Sequence, residues 1–242
     1  METNIKQRSI RIICEVHPQF LGSMSELKRM IIQSKMGGAD VVKVQLYDSK
    51  KLFQNDDRSY LDINFDELNE IDKFSKDHGI ELSASIFNED RLEWCEKLNF
   101  KTYKIASRTV AENKKLCEKI ISTGKETIIS LGMYDYEKEG IPFKSKNIKY
   151  LYCVSEYPTM LEKINMPDFE NSFFDGYSDH TINISACVYA ISRGAKIIEK
   201  HYSNSNNLNV ATQQAHVCSM NFDQLNQLRF LADSLSLLKI NN

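Results

Sequence analysis

The stretches GYSDHT at residues 176–181 and IIEKHY at residues 197–202 decide the fold of this chain. Each contains an apolar or aromatic run typical of a β-strand, followed by a histidine, His180 or His201. A helical pattern at residues 182–193 separates them, and a strand–helix–strand unit places parallel strands side by side. Both imidazoles are therefore expected at the same edge of one sheet. Two such imidazoles predict a divalent-metal site, and the alternative is an ordinary hydrogen-bonded histidine at each strand end.

The same alternation of strand and helix patterns extends over the rest of the chain. Short apolar runs predict eight strands, at residues 10–16, 40–45, 80–85, 103–106, 127–130, 148–154, 173–177 and 196–199. Helical spacing recurs at residues 23–36, 67–78, 90–98, 111–123, 182–193 and 221–238. Eight strands alternating with helices in 242 residues predict one domain, residues 1–242, with the α/β fold of a (β/α)8 TIM barrel.

A doubly wound open sheet is the main rival to the barrel. Such a sheet usually carries a Gly-rich phosphate turn after its first strand, and EVHPQFLG at residues 15–22 is not one. Residues 134–147 and 162–172 are too short and too interrupted by glycine and proline for full helices after strands five and six. The barrel wall is thus predicted to be covered there either by a loop that packs onto it or by another subunit.

Composition excludes several classes of partner. The net charge of −2 leaves no basic surface for nucleic acid or for anionic membranes. No apolar run approaches the roughly 20 residues that span a bilayer, and residues 1–8 lack the apolar core of a signal peptide. The six cysteines are scattered without a CxxC pair, which indicates buried thiols in a reducing compartment. We therefore expect a cytoplasmic protein with neither nucleic acid nor membrane as a partner.

Two lysines stand inside strands that are otherwise apolar or aromatic. Lys43 and Lys104 each alternate with core positions, and a lysine directed into a barrel must reach the mouth or a counter-charge. One interpretation is a salt bridge to Glu15 or Glu199. The other is a binding site for a phosphate and a carboxylate, completed by hydroxyl groups at the strand ends: Ser85, Ser107, Ser130 and Ser178.

Eight stretches of the chain together resemble the sialic acid synthase (N-acetylneuraminate synthase) family. They are CE (14–15), GADVVKVQ (38–45), YKIAS (103–107), LGM (131–133), CVSEYPT (153–159), GYSDHT (176–181), GAKIIEKH (194–201) and VCSM (217–220). They occur in order over residues 10–220, so the resemblance covers nearly the whole chain. Members of this family condense phosphoenolpyruvate with an N-acylated hexosamine.

The resemblance implies a role for each matching residue. It implies a divalent metal, Mn²⁺ or Mg²⁺, held by His180 and His201. Phosphoenolpyruvate and the acceptor would be bound by polar side chains: Lys43, Ser85, Lys104, Ser107, Ser130, Ser155 and Ser178. Glu15, Gln45 and Tyr157 match positions that line the sugar and the reacting centre, and they are the candidate catalytic residues. In the implied reaction the metal polarises an aldehyde, the donor carbon adds to it, and water captures the resulting cation before phosphate leaves.

The departures from the family pattern concern the acceptor. Arg108 and Thr109 replace a glycine and an acidic residue, Gln19 and Phe20 replace Asn-His, and Ala215 ends a stretch where the family has Gly-Pro-Asp. The acceptor half of the site is therefore predicted to be rebuilt. Arg108 is expected either to bind an anionic group on the acceptor or to pair with a carboxylate such as Glu156 or Glu15. Family members usually end in an antifreeze-like domain that supplies an arginine to the partner subunit's site, and we expect this chain to lack it.

The predicted function is the condensation of phosphoenolpyruvate with an aldehyde acceptor, a sugar or sugar derivative, to give a ulosonic acid for surface-glycan synthesis. The enzyme is expected to be a homo-oligomer. Two alternatives stay open. One is an aldolase or lyase acting on a pyruvate-derived acid at the same metal. The other is a non-catalytic barrel that regulates a full-length synthase, against which the retained lysines, serines and histidines argue because an inactive site has no need of buried lysines.

Overall fold

Eight parallel strands form a closed barrel in which each strand pairs with its neighbours in chain order. The structure, a computed structural model, describes residues 9–205 and 213–240. The strands are Arg11–Glu15 (β1), Val41–Leu46 (β2), Glu81–Ile86 (β3), Thr102–Ile105 (β4), Glu126–Ser130 (β5), Ile148–Cys153 (β6), Gly176–Asp179 (β7) and Ile197–His201 (β8). β8 closes the barrel on β1, with His201 opposite Glu15. The predicted TIM barrel is confirmed.

Helices connect the strands around the outside of the barrel. Within the described residues they are Met24–Met36 (α1), Ser49–Phe53 (α2), Phe65–Asp77 (α3), Glu89–Lys97 (α4), Ser107–Glu112 (α5), Lys114–Ser122 (α6), Tyr136–Glu139 (α7), Ser185–Ser192 (α8), Gln213–Val217 (α9) and Phe222–Ile240 (α10). Several begin at a polar residue whose side chain accepts a backbone N–H of the first turn. Before α3 this cap is reciprocal, because Asn64 and Glu67 each accept from the other's backbone N–H.

Two predicted elements differ from the structure. The helix predicted at residues 111–123 is divided, because the Asn113 side chain accepts from Leu116 N and starts α6 there. The strand predicted at residues 173–177 begins only at Gly176, where β7 runs so close to β8 that a Cβ would lie 2.0 Å from the Ile197 carbonyl oxygen. Phe173 and Phe174 instead pack with the tyrosines of β6 in the core.

The connections after β5 and β6 lack full barrel helices, as predicted. They contain only the four-residue α7 and a 3-10 helix at Leu161–Lys163. Phe143, Met166 and Phe169 pack onto the core, so a loop covers the barrel wall there. No helix in the described ranges is long and apolar enough to span a membrane. Residues 1–8, to which the signal-peptide prediction refers, lie outside those ranges.

Inside the barrel the side chains form three layers. Arg11 at the lower end makes ion pairs with Glu81 and Glu126. The middle layer is an apolar cluster separate from the outer core, composed of Ile13, Val41, Ile128, Leu151 and Ile197. Because side chains alternate along a strand, the residues two positions further on also point inward and form the upper layer. Those residues include Glu15, Lys43, Ser130 and Glu199, and the layer they form is the floor of a cavity.

Candidate active site

The upper end of the barrel holds a cavity of about 470 Å³. Every candidate residue from the sequence lines it: Glu15, Lys43, Gln45, Ser85, Lys104, Ser107, Arg108, Ser130, Ser155, Tyr157, Ser178, His180 and His201. These side chains come from all eight strands or from the residues that directly follow them. The barrel therefore brings together residues separated by up to 186 positions in the sequence (from 15 to 201).

The two lysines alternate with two glutamates on the cavity floor, in the order Glu15, Lys43, Glu199 and Lys104. Lys43 Nζ forms an ion pair with the Glu15 carboxylate and lies 3.6 Å from Glu199 Oε2. Lys104 Nζ lies 3.6 Å from Glu199 Oε1. All four side chains are buried. The salt-bridge interpretation of the lysines is thus confirmed, and because the same residues line the cavity the lysines remain placed to meet a ligand.

Hydroxyl groups surround this charged floor. Lys43 Nζ donates to Ser85 Oγ over 3.0 Å, and Lys104 Nζ donates to Ser130 Oγ over 2.6 Å. Ser178 Oγ donates to Glu199 Oε1 over 2.9 Å. Each ammonium thus has hydroxyl and carboxylate partners that an incoming anion can replace or join.

Burial and neighbouring charges together shift the pKa values of the side chains on the cavity floor. It raises the pKa of Glu15 above its ordinary value despite the opposing effect of Lys43. Burial lowers the pKa of Lys104, and Glu199 only partly offsets it. For Glu199, burial acts upward, but the charges of Lys104 and Lys43 outweigh it and lower the pKa. Glu199 is therefore the stable counter-ion, whereas Glu15 is the carboxyl whose raised pKa suits proton exchange.

The two histidines face each other at the ends of β7 and β8. His180 directly follows β7, as predicted, whereas His201 is the last residue of β8 rather than lying beyond it. Their ring centroids are 5.9 Å apart. His180 Nδ1 donates to the Val154 carbonyl over 2.8 Å, and His201 Nδ1 is 3.1–3.3 Å from the Gln19 amide. With both Nδ1 atoms occupied, the Nε2 atoms are the ones available to a cation.

A buried ion pair fixes the backbone beside both histidines. Lys200 Nζ lies 2.6 Å from Asp179 Oδ2, and both side chains are fully buried. Asp179 also accepts from the backbone N–H of Thr181, and Lys200 donates to the Thr181 carbonyl. Because Asp179 precedes His180 and Lys200 precedes His201, this pair holds the two strand ends in register. The pKa of Asp179 is lowered, since Lys200 and these hydrogen bonds outweigh its burial.

The departures in the acceptor half have distinct positions. Ala215 lines the cavity, and its carbonyl accepts from Gln19 Nε2, which links this segment to His201. Thr109 is buried on α5, and it is not among the described residues that line the cavity. Arg108 lines the cavity with its Nε 3.8 Å from Glu112 Oε1. Arg108 thus pairs with a carboxylate, as one of its two expected roles requires, but its partner is Glu112; the expected partners Glu156 and Glu15 pair with Lys163 and Lys43.

Several cavity residues were not candidates from the sequence. They are apolar or aromatic side chains and one more cation at the mouth, chiefly Tyr47, Leu52, Phe53, Arg58, Phe87 and Met133. Tyr47, Leu52, Phe53 and Arg58 belong to the connection between β2 and α3, which contains α2. The position of this connection directly after a strand end was the one signal that could have identified it, because ligand-binding loops of TIM barrels occur there.

Comparison with known proteins identifies the family of this chain and several relatives. The chain matches the model of the NeuB family over residues 30–236. It is 30% identical over 213 residues to an uncharacterized protein of Methanocaldococcus jannaschii, a match that covers 81% of this chain and 63% of the relative. It is 27% identical over 219 residues to the human N-acetylneuraminate-9-phosphate synthase, covering 78% of this chain and 61% of the relative. The chain thus spans somewhat more than three fifths of the length of these curated relatives.

A solved structure agrees on the fold. The N-acetylneuraminic acid synthetase from Leptospira borgpetersenii superposes with a TM-score of 0.84 at 24% identity. The match covers 95% of this chain and 85% of that one. At this identity the similarity supports the barrel architecture alone.

Proposed function

Because this chain belongs to the NeuB family, we propose that it condenses phosphoenolpyruvate with an aldehyde sugar or sugar derivative to give a ulosonic acid and phosphate. The observation that carries the proposal is the lower part of the cavity, where two buried lysines, four serine hydroxyl groups and two imidazoles converge. Lys43 and Lys104 already pair with Glu15 and Glu199, and because both lysines line the cavity an anionic donor can join or replace these partners. Lys43 and Lys104 would hold its phosphate and carboxylate, with Ser85, Ser107, Ser130 and Ser178 donating to the oxygens.

The histidine pair fits a divalent metal. Two imidazoles that share one ion have ring centroids at most about 6.5 Å apart, since each nitrogen lies about 2.1 Å from the metal, and here they are 5.9 Å apart. Burial and nearby cations lower the pKa of His201 well below its ordinary value, which keeps that imidazole neutral as a ligand must be. The described residues contain no group of three or more His, Cys, Asp or Glu suited to a metal. We propose that water and substrate oxygens complete the coordination beside the two imidazoles. Such a Mn²⁺ or Mg²⁺ ion would polarise the acceptor's aldehyde oxygen.

The reaction balances with the groups that the chain supplies. The methylene carbon of phosphoenolpyruvate forms a bond to the aldehyde carbon, and the aldehyde oxygen takes up a proton. Water adds to the cation left on the donor carbon and releases a proton. The bond between this carbon and the phosphate oxygen then breaks, the new hydroxyl becomes the keto group, and its proton leaves with the phosphate. Glu15 would exchange those protons because its pKa is raised, and Gln45 and Tyr157 would orient the acceptor beside it.

The six cysteines are all buried free thiols, which supports action in a reducing compartment such as the cytoplasm.

Release of phosphate from phosphoenolpyruvate in the presence of a panel of aldoses tests this proposal. We expect phosphate to appear only with an aldose and Mn²⁺, together with a nine-carbon or similarly extended acid detected by mass spectrometry. Lys104→Met should abolish donor binding, whereas Lys163→Met, which removes an exposed lysine paired with Glu156, should not. Formation of pyruvate from the acid without phosphate chemistry would indicate the aldolase or lyase instead. Donor binding without phosphate release from any aldose would refute the proposal.

A further inference from the structure

Two arginines lie beside one aromatic ring at the mouth of the cavity. The guanidinium carbon of Arg58 lies 4.9 Å from the ring centroid of Phe53, and that of Arg108 lies 5.8 Å from it. Arg58 belongs to the connection between β2 and α3, and Arg108 belongs to the first turn of α5 after β4. Two segments distant in sequence therefore bring cations to within 6 Å of one ring centroid, and all three side chains line the cavity.

The charge of Arg58 is not neutralised at close range. Within residues 9–205 and 213–240, no carboxylate oxygen lies within 4.0 Å of its guanidinium. Three of the four carboxylates of its own segment are engaged elsewhere: Asp48 caps α2 at Lys51 N, Asp56 lies 3.7 Å from Lys50 Nζ, and Asp62 accepts from the backbone and hydroxyl of Ser49. Uncompensated cations that line a cavity attract and retain anions.

Arg108 is only weakly compensated. Its contact with Glu112 is 3.8 Å long, lies on one exposed turn of α5, and both side chains reach solvent. An exposed pair of this kind contributes little and is readily exchanged for a better partner. On the cavity floor, by contrast with the two arginines, Lys43 and Lys104 already have buried carboxylates beside them. The mouth is therefore the part of the cavity with an excess of positive charge.

The position of the pair indicates which end of a ligand it would meet. Strands pair in chain order around the barrel, so β3 and β4 lie across it from β7 and β8. Arg108 follows β4 and is therefore across the barrel from His180 and His201, whereas Arg58 comes from the longer connection after β2 and lies beside the same Phe53 ring as Arg108. A sugar whose aldehyde faces the histidines would present its far end to the arginines. Phe53, Phe87 and Met133 also line the cavity, so part of its wall is apolar.

We propose that Arg58 and Arg108 bind a phosphate monoester at the end of the acceptor remote from its aldehyde. A phosphate monoester carries nearly two negative charges at neutral pH, which matches two guanidinium groups. Each guanidinium can also donate two parallel hydrogen bonds to phosphate oxygens, a geometry that lysine does not offer. The identification of the ligand as the acceptor rests on the proposed function. The anion site itself is argued from the positions of the two arginines.

Direct binding measurements test the proposal without requiring turnover. A panel of aldoses, each paired with its terminal phosphate monoester, would be titrated calorimetrically into the full chain in the presence of Mn²⁺. We expect the phosphorylated member to bind more tightly in at least one pair. Arg58→Gln and Arg108→Gln should each weaken its binding about 10- to 100-fold, the effect of losing charge-assisted hydrogen bonds. The affinities for phosphoenolpyruvate and for neutral aldoses should not change.

Matched variants separate charge from folding. Arg58→Lys should retain part of the affinity, because it keeps the charge and loses only the paired donors. Arg29→Gln removes an exposed arginine of α1 that pairs with Glu26, and it should leave every affinity unchanged. Thermal melting of each variant checks that the fold is intact. The proposal is overturned if no phosphorylated aldose binds better than its neutral partner, or if both glutamine variants bind it as the unmodified chain does.

Phosphate release from isotopically labelled phosphoenolpyruvate distinguishes this inference from the proposed function. Release with a phosphorylated aldose, at the same KM in the unmodified chain, in Arg58→Gln and in Arg108→Gln, would leave the condensation standing and refute the arginine site. Arginine-dependent binding of phosphorylated aldoses, with no labelled phosphate released by any of them, would leave the arginine site standing and refute the condensation.

Discussion

At the scale of single residues, His17 illustrates how the burial of one imidazole makes the stability of the fold depend on pH. Its ring is fully buried, and its Nε2 lies 2.7 Å from the Tyr47 hydroxyl. Burial lowers its pKa from an ordinary 6.5 to about 3, with Lys43 and Arg58 adding to the effect. The unfolded chain therefore binds a proton below pH 6.5 that the folded chain does not bind until about pH 3. Because the pKa is lowered on folding, stability is full above pH 6.5 and falls as the pH decreases.

We predict that His17→Gln reduces the loss of stability between pH 6.5 and pH 4.5. His17 contributes a slope of up to about 1.4 kcal/mol per pH unit in this range, and glutamine contributes none. The free energy of unfolding would be measured by urea denaturation at several pH values. His78→Gln is the control, since it removes an exposed histidine at the end of α3. Parallel pH profiles for His17→Gln and the unmodified chain would contradict the prediction.

The histidines of β7 and β8 give a second prediction at this scale. His180→Ala and His201→Ala should each abolish calorimetric binding of Mn²⁺ at micromolar concentration, because one imidazole is lost from a pair that supplies the protein ligands. Removal of metal by a chelator should likewise weaken the binding of phosphoenolpyruvate to the unmodified chain. Circular dichroism should show an unchanged fold, and His78→Ala should bind Mn²⁺ normally. Tight Mn²⁺ binding by the double variant of His180 and His201 would show that the metal is held elsewhere.

At the scale of elements, β7 and β8 depend on the Asp179–Lys200 pair. Both side chains are fully buried, so removing one partner leaves an uncompensated charge. We predict that Lys200→Met lowers the free energy of unfolding by about 3–5 kcal/mol. Lys163→Met, which breaks the exposed pair with Glu156, should cost less than about 1 kcal/mol because both of its side chains are in contact with solvent. Equal losses in chemical denaturation would show that the buried pair has no structural role.

The sequence predicted the elements well where apolar periodicity decided them and less well where tertiary contacts did. All eight strands were found because each is a short apolar run between polar connections. The break at Asn113 was missed because its capping hydrogen bond competes with a helical pattern that continues on both sides. The start of β7 was placed too early because Phe173 and Phe174 have strand propensity, yet their packing against Tyr150 and Tyr152 takes them out of the sheet.

The same distinction applies to the cavity. Residues such as Lys43 and His201 are conspicuous because they are polar at positions where the strand pattern requires apolar ones. Arg58 and Phe53 do not stand out in the sequence, because they lie in a polar connection that has no periodic pattern from which they could depart. Their proximity to Arg108 depends on how the β2–α3 connection folds over the barrel mouth, which a single sequence does not specify.

At the scale of the whole molecule, Arg229 joins the closing helix to the lower end of the barrel. Its guanidinium donates to the carbonyls of Gly38 and Ile10 and pairs with Asp40 at 2.7 Å. Gly38 makes room for it, because a Cβ there would lie 2.6 Å from Arg229 Cγ. A single buried side chain thereby connects α10 to the segments that begin β1 and β2.

We predict that Arg229→Lys lowers the free energy of unfolding by about 2–3 kcal/mol although it keeps the charge. A lysine cannot reach the two carbonyls and the carboxylate together, so buried acceptors lose their donor. Arg29→Lys, an exposed exchange on α1, should change stability by no more than about 0.5 kcal/mol. Both would be measured by urea denaturation, and indistinguishable midpoints would contradict the role assigned to Arg229.

The alternating charges of the cavity floor have a consequence for the heat of ligand binding. Glu15 already has a raised pKa, and an anion that approaches Lys43 raises it further by drawing away its counter-ion. Binding of phosphoenolpyruvate should therefore take up a proton from solution, and the buffer that releases this proton adds its own ionisation enthalpy. We predict that the calorimetric enthalpy differs between Tris and Pipes at one pH. In Glu15→Gln this difference should disappear, and if it persists the proton is taken up by another group.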